Sequence, residues 1–451
     1  MLRVFHLDVG LPDGDNCGTF FAIRGHDMKT YLIGVLVAYV ALQAFKGVLE
    51  YLNVRHARRQ GPFVPQEFEG VVDRASLEKM LAYVREKTAF EMVASAAGTL
   101  ATIFFLFGGL LDRYNSWVAS FGLALVLSGP AFFLLLYAAG ALLWVPFTLY
   151  LVFRIENRHG FNTMTGGLWL ADFVKSTALS LILLALSFLA GFALISWSPR
   201  FWWPWVWCFF LSFTIFITYA SPYVIEPLFN KFVPVEDDDL KARIVRLASQ
   251  AGINVSKILK MDESKRSRHT NAYFAGIGRT KRIILFDTLL QGMTPDEIIA
   301  VLAHEIGHWK RRHLLKGLAI SQALSLIVLF CSYWALKGPI LVALFGITTD
   351  TLPAKIVLIA FFVSMFSFFV KPAMYGFSRR LEREADRFSC DLAGKSETMV
   401  DALVKLSREN LSNLFPHPLY AFFNYSHPPV LERVRYIRAY CGAAKGEGRQ
   451  A

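Results

Sequence analysis

The sequence predicts an all-α-dominated polytopic membrane protein, with about seven transmembrane helices and a polar domain carrying a small β-hairpin. Three observations predict it. Of 451 residues, 55% are hydrophobic and 15% aromatic, with 40 Phe and 10 Trp, while 18% are charged. Soluble domains usually carry about a quarter. Mean hydropathy is +0.41. Seven apolar stretches each approach the ~20 residues that cross a bilayer. The loops between them alternate between strongly basic and nearly uncharged.

The stretches fall at 30–52, 90–111, 128–153, 177–197, 202–224, 314–336 and 353–375, the third with 117–127 as an upstream extension. Lys46 and Glu50 lie four apart in the first, so they can pair or face an aqueous interior. Phe201, Trp202, Trp203 and Trp205 open the fifth as an interfacial belt. Seven Lys/Arg lie between residues 53 and 89, and the segments after the third, fifth and seventh stretches are again basic. The alternate loops carry only Arg113, Arg200 and Lys337. The positive-inside rule then puts the N-terminus outside and the polar domain in the cytoplasm. Organisation follows: a tail (1–29), a membrane region (30–232), a cytoplasmic insertion (233–313), two further spans (314–375) and a C-terminal part (376–451).

The net charge of +12 does not indicate nucleic acid, because the basic residues cluster beside apolar spans and form no aromatic-basic groove. Residues 1–27 have no apolar run and do not read as a signal peptide, and Met28 is a plausible alternative start. Five cysteines at wide spacing, with no CxxC pair, support neither a disulfide framework nor a thiolate metal site. Within the insertion, 236–239 is an acidic, solvated helix start and 240–252 reads as helix. Residues 271–276 and 282–287 read as two strands turning at 276–278.

Residues 294–313, TPDEIIAVLAHEIGHWKRRH, read as one helix. Thr294 can cap it, Pro295 suits the first turn, and Glu297 completes a capping box. His304 and His308 lie four apart on one face, so both imidazoles can reach one metal ion, and Glu305 can act on a water beside it. A catalytic site needs a third protein ligand. Residues 378–391, SRRLEREADRFSCD, offer Glu382, with Asp386 one turn on to orient a ligand imidazole. Glu384 lies about 200° around the helix from Glu382 and is a poor alternative. The competing reading is a charged surface helix, with Arg379 paired to Glu382. His313, about 500° beyond His308, falls off the ligand face and reads as interfacial.

These residues resemble the integral-membrane CAAX prenyl endopeptidases, gluzincin-type zinc proteases. Besides HEIGH, Ser378 to Asp386 resembles the family's SRxxExxAD element and Thr270 to Gly276 its NAYF strand. Ile155 to Asn162 resembles its IExxxGFN loop, and the segment 222–232 its exit from the fifth span. Asn410-Leu411 and Tyr425 to Pro429, continuing to Glu432-Arg433, resemble its C-terminal SHPPxxER element. The motifs follow family order from about 150 to 440. The N-terminal region and loops have a bacterial look.

The resemblance implies a seven-helix barrel around a water-filled chamber, compatible with Lys46, Glu50, Glu91 and Gln322 inside spans. It implies one zinc ion per chain on His304, His308 and Glu382, with Glu305 as general base. His427 becomes the oxyanion donor, supported by Arg433, and Asn271, Ala272 and Tyr273 bind the substrate. The substrate would be a peptide or protein, either ending in a prenylated cysteine motif or a general membrane-associated or misfolded chain. The setting would be a bacterial inner membrane or an endoplasmic reticulum. A transporter, or a protease-like scaffold without activity, is the reading from another class. The oligomeric state stays open.

Overall fold

The structure, a computed structural model, describes residues 25–61, 63–275, 280–394 and 396–447. The segment 1–24 and the expected turn at 276–278 lie outside the described residues. The chain opens with α1 (Gly25–Gln60), α2 (Arg74–Phe107), short α3 (Leu110–Ala119), α4 (Leu125–Tyr150), α5 (Gly166–Trp197) and α6 (Trp202–Ala220). The polar insertion holds β1 (Phe232–Pro234), α7 (Asp238–Gln250), β2 (Asn254–Met261), β3 (Ala272–Ala275), β4 (Thr280–Phe286), α8 (Asp287–Gly292) and α9 (Pro295–Lys310). Then come α10 (His313–Leu336), α11 (Ile340–Leu344), α12 (Leu352–Ala393), α13 (Ser396–Glu409), α14 (Pro418–Asn424) and α15 (Val430–Glu447).

Among the described residues, seven helices are long and apolar enough to cross a membrane: α1, α2, α4, α5, α6, α10 and α12. Their packing closes a ring. α1 packs on α2, α4 on α5, α5 on α6, α6 on α10 and α10 on α12. Phe90 of α2 stacks on Tyr150 of α4 at 5.3 Å. Leu42 and Leu49 of α1 meet Phe368 of α12. The ring is hollow: of the most apolar stretch of α6 or α10 no residue is buried, and of that of α12 only 28%. A solid bundle would bury one face of each helix. Between α1, α2 and α12 lies a cavity of about 630 Å³ lined by Gln43, Lys46, Glu50, Glu91 and Lys371, which explains charges inside spans.

Several elements differ from the sequence expectation. α2 and α12 run well past their apolar stretches: no glycine or proline interrupts residues 74–89 ahead of the α2 stretch, and α12 continues through Pro372 and Gly376 as one helix of 42 residues. Of the expected upstream extension of the third span, residues 117–119 end α3 and 125–127 open α4, with Gly122 between them in the left-handed region at φ 63°. The expected hairpin, β3 with β4, belongs to a four-stranded sheet of order β1-β2-β4-β3. β4 pairs antiparallel with β3 and parallel with β2. β2 (NVSKILKM) escaped notice because a bulge between Val255 and Lys257 breaks its alternation and its lysines interrupt the apolar run. The acidic start of α7 is a solvated cap: the Asp237 side chain accepts from Leu240 N–H at 2.9 Å.

One side of the sheet and α7 pack on α9. Leu240, Ile244 and Leu247, at helical spacing on α7, meet Ile283 and Leu285 of β4 and Ile298, Leu302 and Ile306 of α9. Each such side chain stabilises by roughly 1.5–3 kcal/mol when fully buried. This core fixes the rear face of α9 and leaves its other face for α12. The cysteine expectation is corrected at one pair. α12 and α15 lie side by side, bringing Cys390 and Cys441 to a Cα–Cα distance of 6.2 Å across 51 residues, and they are disulfide-bonded. Wide sequence spacing does not limit spatial approach.

Candidate active site

The site is built on α9. Its capping box forms as the sequence dictates: Glu297 N–H donates to Thr294 Oγ1 at 3.3 Å, and Thr294 N–H to Glu297 Oε2 at 2.7 Å. The helix does not reach residue 313. It ends at Lys310, Arg312 takes a left-handed conformation at φ 56°, and α10 restarts at His313. α12 crosses α9 at Gly307, where the buried Ala385 backbone meets the helix with no intervening side chain. That approach puts Glu382 opposite the two histidines.

The three candidate ligands converge. Nε2 of His304 and Nε2 of His308 are 3.1 Å apart. Glu382 Oε2 is 3.4 Å from the first and its Oε1 3.3 Å from the second. Bonds of about 2.0–2.2 Å at a tetrahedral centre require ligand atoms roughly 3.3 Å apart, so this triangle fits zinc. Glu382 Oε2 is buried without a hydrogen-bond partner, an orphaned lone pair that a cation would satisfy. Burial and the Arg433 guanidinium disfavour an imidazolium at His304, yet the Asp386 and Glu382 carboxylates facing its ring prevail and raise its pKa to about 8.

Both imidazoles are held from behind. Asp386, fully buried, lies 2.9 Å from His304 Nδ1. Arg433 of α15 binds Asp386 with both arms of its guanidinium, at 2.6 and 3.1 Å. Arg433, which the resemblance gives as support for His427, holds Asp386 and lies 3.4 Å from the His304 ring. On the other side His313 Nδ1 stands 2.9 Å from His308 Nδ1, and its Nε2 stands 3.1 Å from Glu384, which also binds Lys316. The interfacial reading of His313 is therefore corrected. His313 stays out of the ligand triangle, as its rotation from His308 predicts, but the break at Arg312, which no glycine or proline announces, brings it against His308 Nδ1. A histidine at the mouth of a span was the usable signal.

His427, after α14, stands 3.2 Å from Glu382 Oε1 with its side chain 62% exposed, so it rims the open side of the triangle. Glu305 is half-buried on α9 next to His304. β3 is an edge strand whose buried Ala272 packs with Leu302, Ala303 and Ile306 of α9. Phe286 N–H donates to the Asn271 carbonyl, so strand alternation turns the main chain of Ala272 and Phe274 to the free edge. Asn271 Oδ1 accepts from Ala272 N–H at 2.8 Å. Tyr273 donates its hydroxyl to Glu226, beyond the end of α6, at 2.5 Å. Burial and that bond raise the phenol's pKa, which keeps it a donor.

Known proteins share this design. Residues 53–231 match the family described as CAAX prenyl protease N-terminal, five membrane helices, and residues 234–441 match peptidase family M48. A CAAX prenyl protease 1 homolog of Arabidopsis thaliana is 34% identical over 399 residues, 86% of this chain and 93% of the relative. The Homo sapiens homolog is 32% identical, over 83% of this chain and 88% of its own. CAAX prenyl protease 1 of Saccharomyces cerevisiae is 30% identical, over 90% and 94%. The crystal structure of S. mikatae Ste24p superposes with a TM-score of 0.84 at 27% identity, covering 90% of this chain and 99% of that one. These relatives are eukaryotic and lend no support to the bacterial look of the loops.

Proposed function

The chain belongs to the CAAX prenyl protease family, peptidase family M48, and on that premise we propose that this membrane metalloprotease uses one zinc ion to cleave near the C-terminus of prenylated proteins. The observation that carries the reading is the triangle of His304, His308 and Glu382, with edges of 3.1, 3.4 and 3.3 Å and an orphaned carboxylate oxygen. Those three residues would hold the metal. When bound, zinc supplies a Lewis acid that polarises the scissile carbonyl and acidifies a water.

The remaining roles belong to the chain. Glu305 takes the proton of the attacking water and returns it to the leaving amine. His427, exposed on the open side, donates from Nε2 to the oxyanion as it develops. Asp386 and Arg433 fix the tautomer and aim of His304, and His313 with Glu384 does the same for His308. The free edge of β3 binds substrate in extended form through main-chain hydrogen bonds, with Asn271 at its entrance and Tyr273 fixing its seat. The basic loops support a site facing the cytoplasm, in an endoplasmic reticulum or bacterial inner membrane.

The test uses full-length protein in lipid nanodiscs, a farnesylated peptide and its unprenylated twin. Chelator-sensitive cleavage with faster turnover of the farnesylated peptide is expected. Equal rates would remove the prenyl requirement and leave a general membrane protease. Glu305→Gln should retain zinc and lose roughly 10²–10⁴-fold in rate. Survival of activity would show that Glu305 is not the base.

A further inference from the structure

Three residues outside the metal site meet immediately before β3. His269 is held by its ring, and the chain then runs through Thr270 into Asn271 and the edge strand. Its ring stacks on Phe161 at 3.9 Å between centroids. Its Nδ1 is 3.0 Å from Asn410 Oδ1, and its Nε2 is 3.4 Å from Glu156 Oε2. Thr270 N–H donates to the same Asn410 oxygen at 3.2 Å. That second donor identifies the Asn410 atom as the carbonyl oxygen, so His269 Nδ1 donates to it. The other carboxylate oxygen of Glu156 accepts from Tyr83 at 2.7 Å.

The three residues come from distant elements. Glu156 closes the π-helical turn that ends α4. Asn410 follows α13, and the next residue, Leu411, is forced into the left-handed region at φ 46°. Among the described residues only Leu411 and Arg312 are non-glycine residues in that region, and Arg312 separates His308 from His313. Backbone strain of this kind persists where the surroundings demand a particular aim, and it gathers at functional sites. At Leu411 it sets the turn that presents the Asn410 amide to Thr270.

From this geometry we propose that Asn410, His269 and Glu156 form a latch that positions the substrate-binding edge of β3. It rests on the reading that β3 binds substrate. Asn410 is the hinge of the latch, since one oxygen fixes both the His269 ring and the Thr270 main chain. Glu156 backs His269 from the membrane ring, so the strand is registered against the helices as well as against α9. All three are positioning residues: they touch neither the ligand triangle nor the free edge.

The test measures kcat and KM for a peptide substrate with the full-length protein in nanodiscs. Only an acceptor is required at position 410, so Asn410→Asp should keep KM within about twofold, while Asn410→Leu should raise it about tenfold with kcat little changed. Glu156→Gln should raise KM about threefold, and it serves as the second variant if Asn410→Leu does not accumulate. A small hydroxamate, which engages only the metal site, should inhibit every variant alike. An N-methyl scan of the peptide reports main-chain pairing separately. The position whose methylation raises KM in the wild type should lose that penalty in Asn410→Leu, as coupled sites do. If no position raises KM, the strand reading itself fails and the latch with it. If one does, and Asn410→Leu leaves KM unchanged or lowers only kcat, the latch alone is overturned. Failure of Asn410→Asp to match the wild type also overturns it.

Discussion

Gly307→Ala tests how closely the metal triangle depends on the crossing of α9 and α12. A Cβ at Gly307 would stand 3.0 Å from Cα of Ala385, 3.1 Å from its carbonyl oxygen and 3.3 Å from its Cβ. Two of these atoms are backbone of α12, so relief requires one helix to move by a few tenths of an ångström. Two effects on stability oppose each other. Alanine favours the helix by about 1 kcal/mol over glycine. Overpacking costs about 1–3 kcal/mol. The net is a loss of about 0–2 kcal/mol, small enough for the protein to fold. The consequence at the site is larger. Moving α12 lengthens the two edges to Glu382, now 3.4 and 3.3 Å, and leaves the His304–His308 edge on α9 unchanged. Metal bonds tolerate about 0.2 Å, and ångström-scale misplacement costs about 10²-fold in rate. We expect zinc to exchange to a chelator 10- to 100-fold more readily, at about the price of a lost supporting residue. Peptide cleavage should fall in proportion while thermal unfolding shifts by only a few degrees. Gly317→Ala on α10, where nothing lies within 4 Å of the new methyl, is the control and should be inert. Wild-type chelator resistance and activity in Gly307→Ala would refute the claim that this contact sets the ligand geometry.

His313→Phe keeps the buried volume but removes the partner of His308 Nδ1, so zinc affinity should drop about 10- to 100-fold in chelator competition while Glu305 chemistry is otherwise intact. An unchanged affinity would mean His313 is only packing. At Glu297 burial opposes ionisation, but the Thr294 N–H and the Lys405 ammonium prevail and hold the carboxyl below its ordinary value. A depressed folded-state pKa stabilises above the unfolded value and loses that contribution as pH falls through the folded one. Glu297→Ala should therefore cost about 1 kcal/mol at pH 7, with the difference from wild type closing below about pH 4 in unfolding measurements. The proposed cytoplasmic placement of the site predicts that Cys390 and Cys441, bonded in the structure, are kept reduced in the cell. Maleimide trapping in acid-quenched cells should find both free, with the bond appearing after lysis; a bonded pair in the cell would argue for the opposite orientation.

What was legible in the sequence follows from the range of each signal. The ligand pair, the capping box and the start of α7 are set within one or two helical turns, and all three form as the local residues dictate. The spans are equally local, because twenty apolar residues identify themselves. What escaped depends on contacts far apart in the chain. β2 is a strand because β4 lies parallel beside it, and its own lysines conceal the pattern. His313 reaches His308 because Arg312 adopts a conformation that no residue-by-residue rotation anticipates. Cys390 meets Cys441 because α15 follows α12 along the stripe that also carries Asp386 and Arg433, one and two turns away.

The placement of these supports has a consequence for how the site is coupled to the membrane. His304 is aimed through Asp386 on α12, and His308 through His313 on α10 and Glu384 on α12. Both supporting helices are walls of the ring. A change in the separation of α10 and α12 would therefore act on the two imidazoles through hydrogen bonds of 2.9 to 3.1 Å, which weaken steeply with distance and angle. α9 is held on its other face by the sheet and α7. The candidate ligand triangle thus joins two histidines on α9, which packs on the sheet and α7, to Glu382 on α12, a wall of the membrane ring.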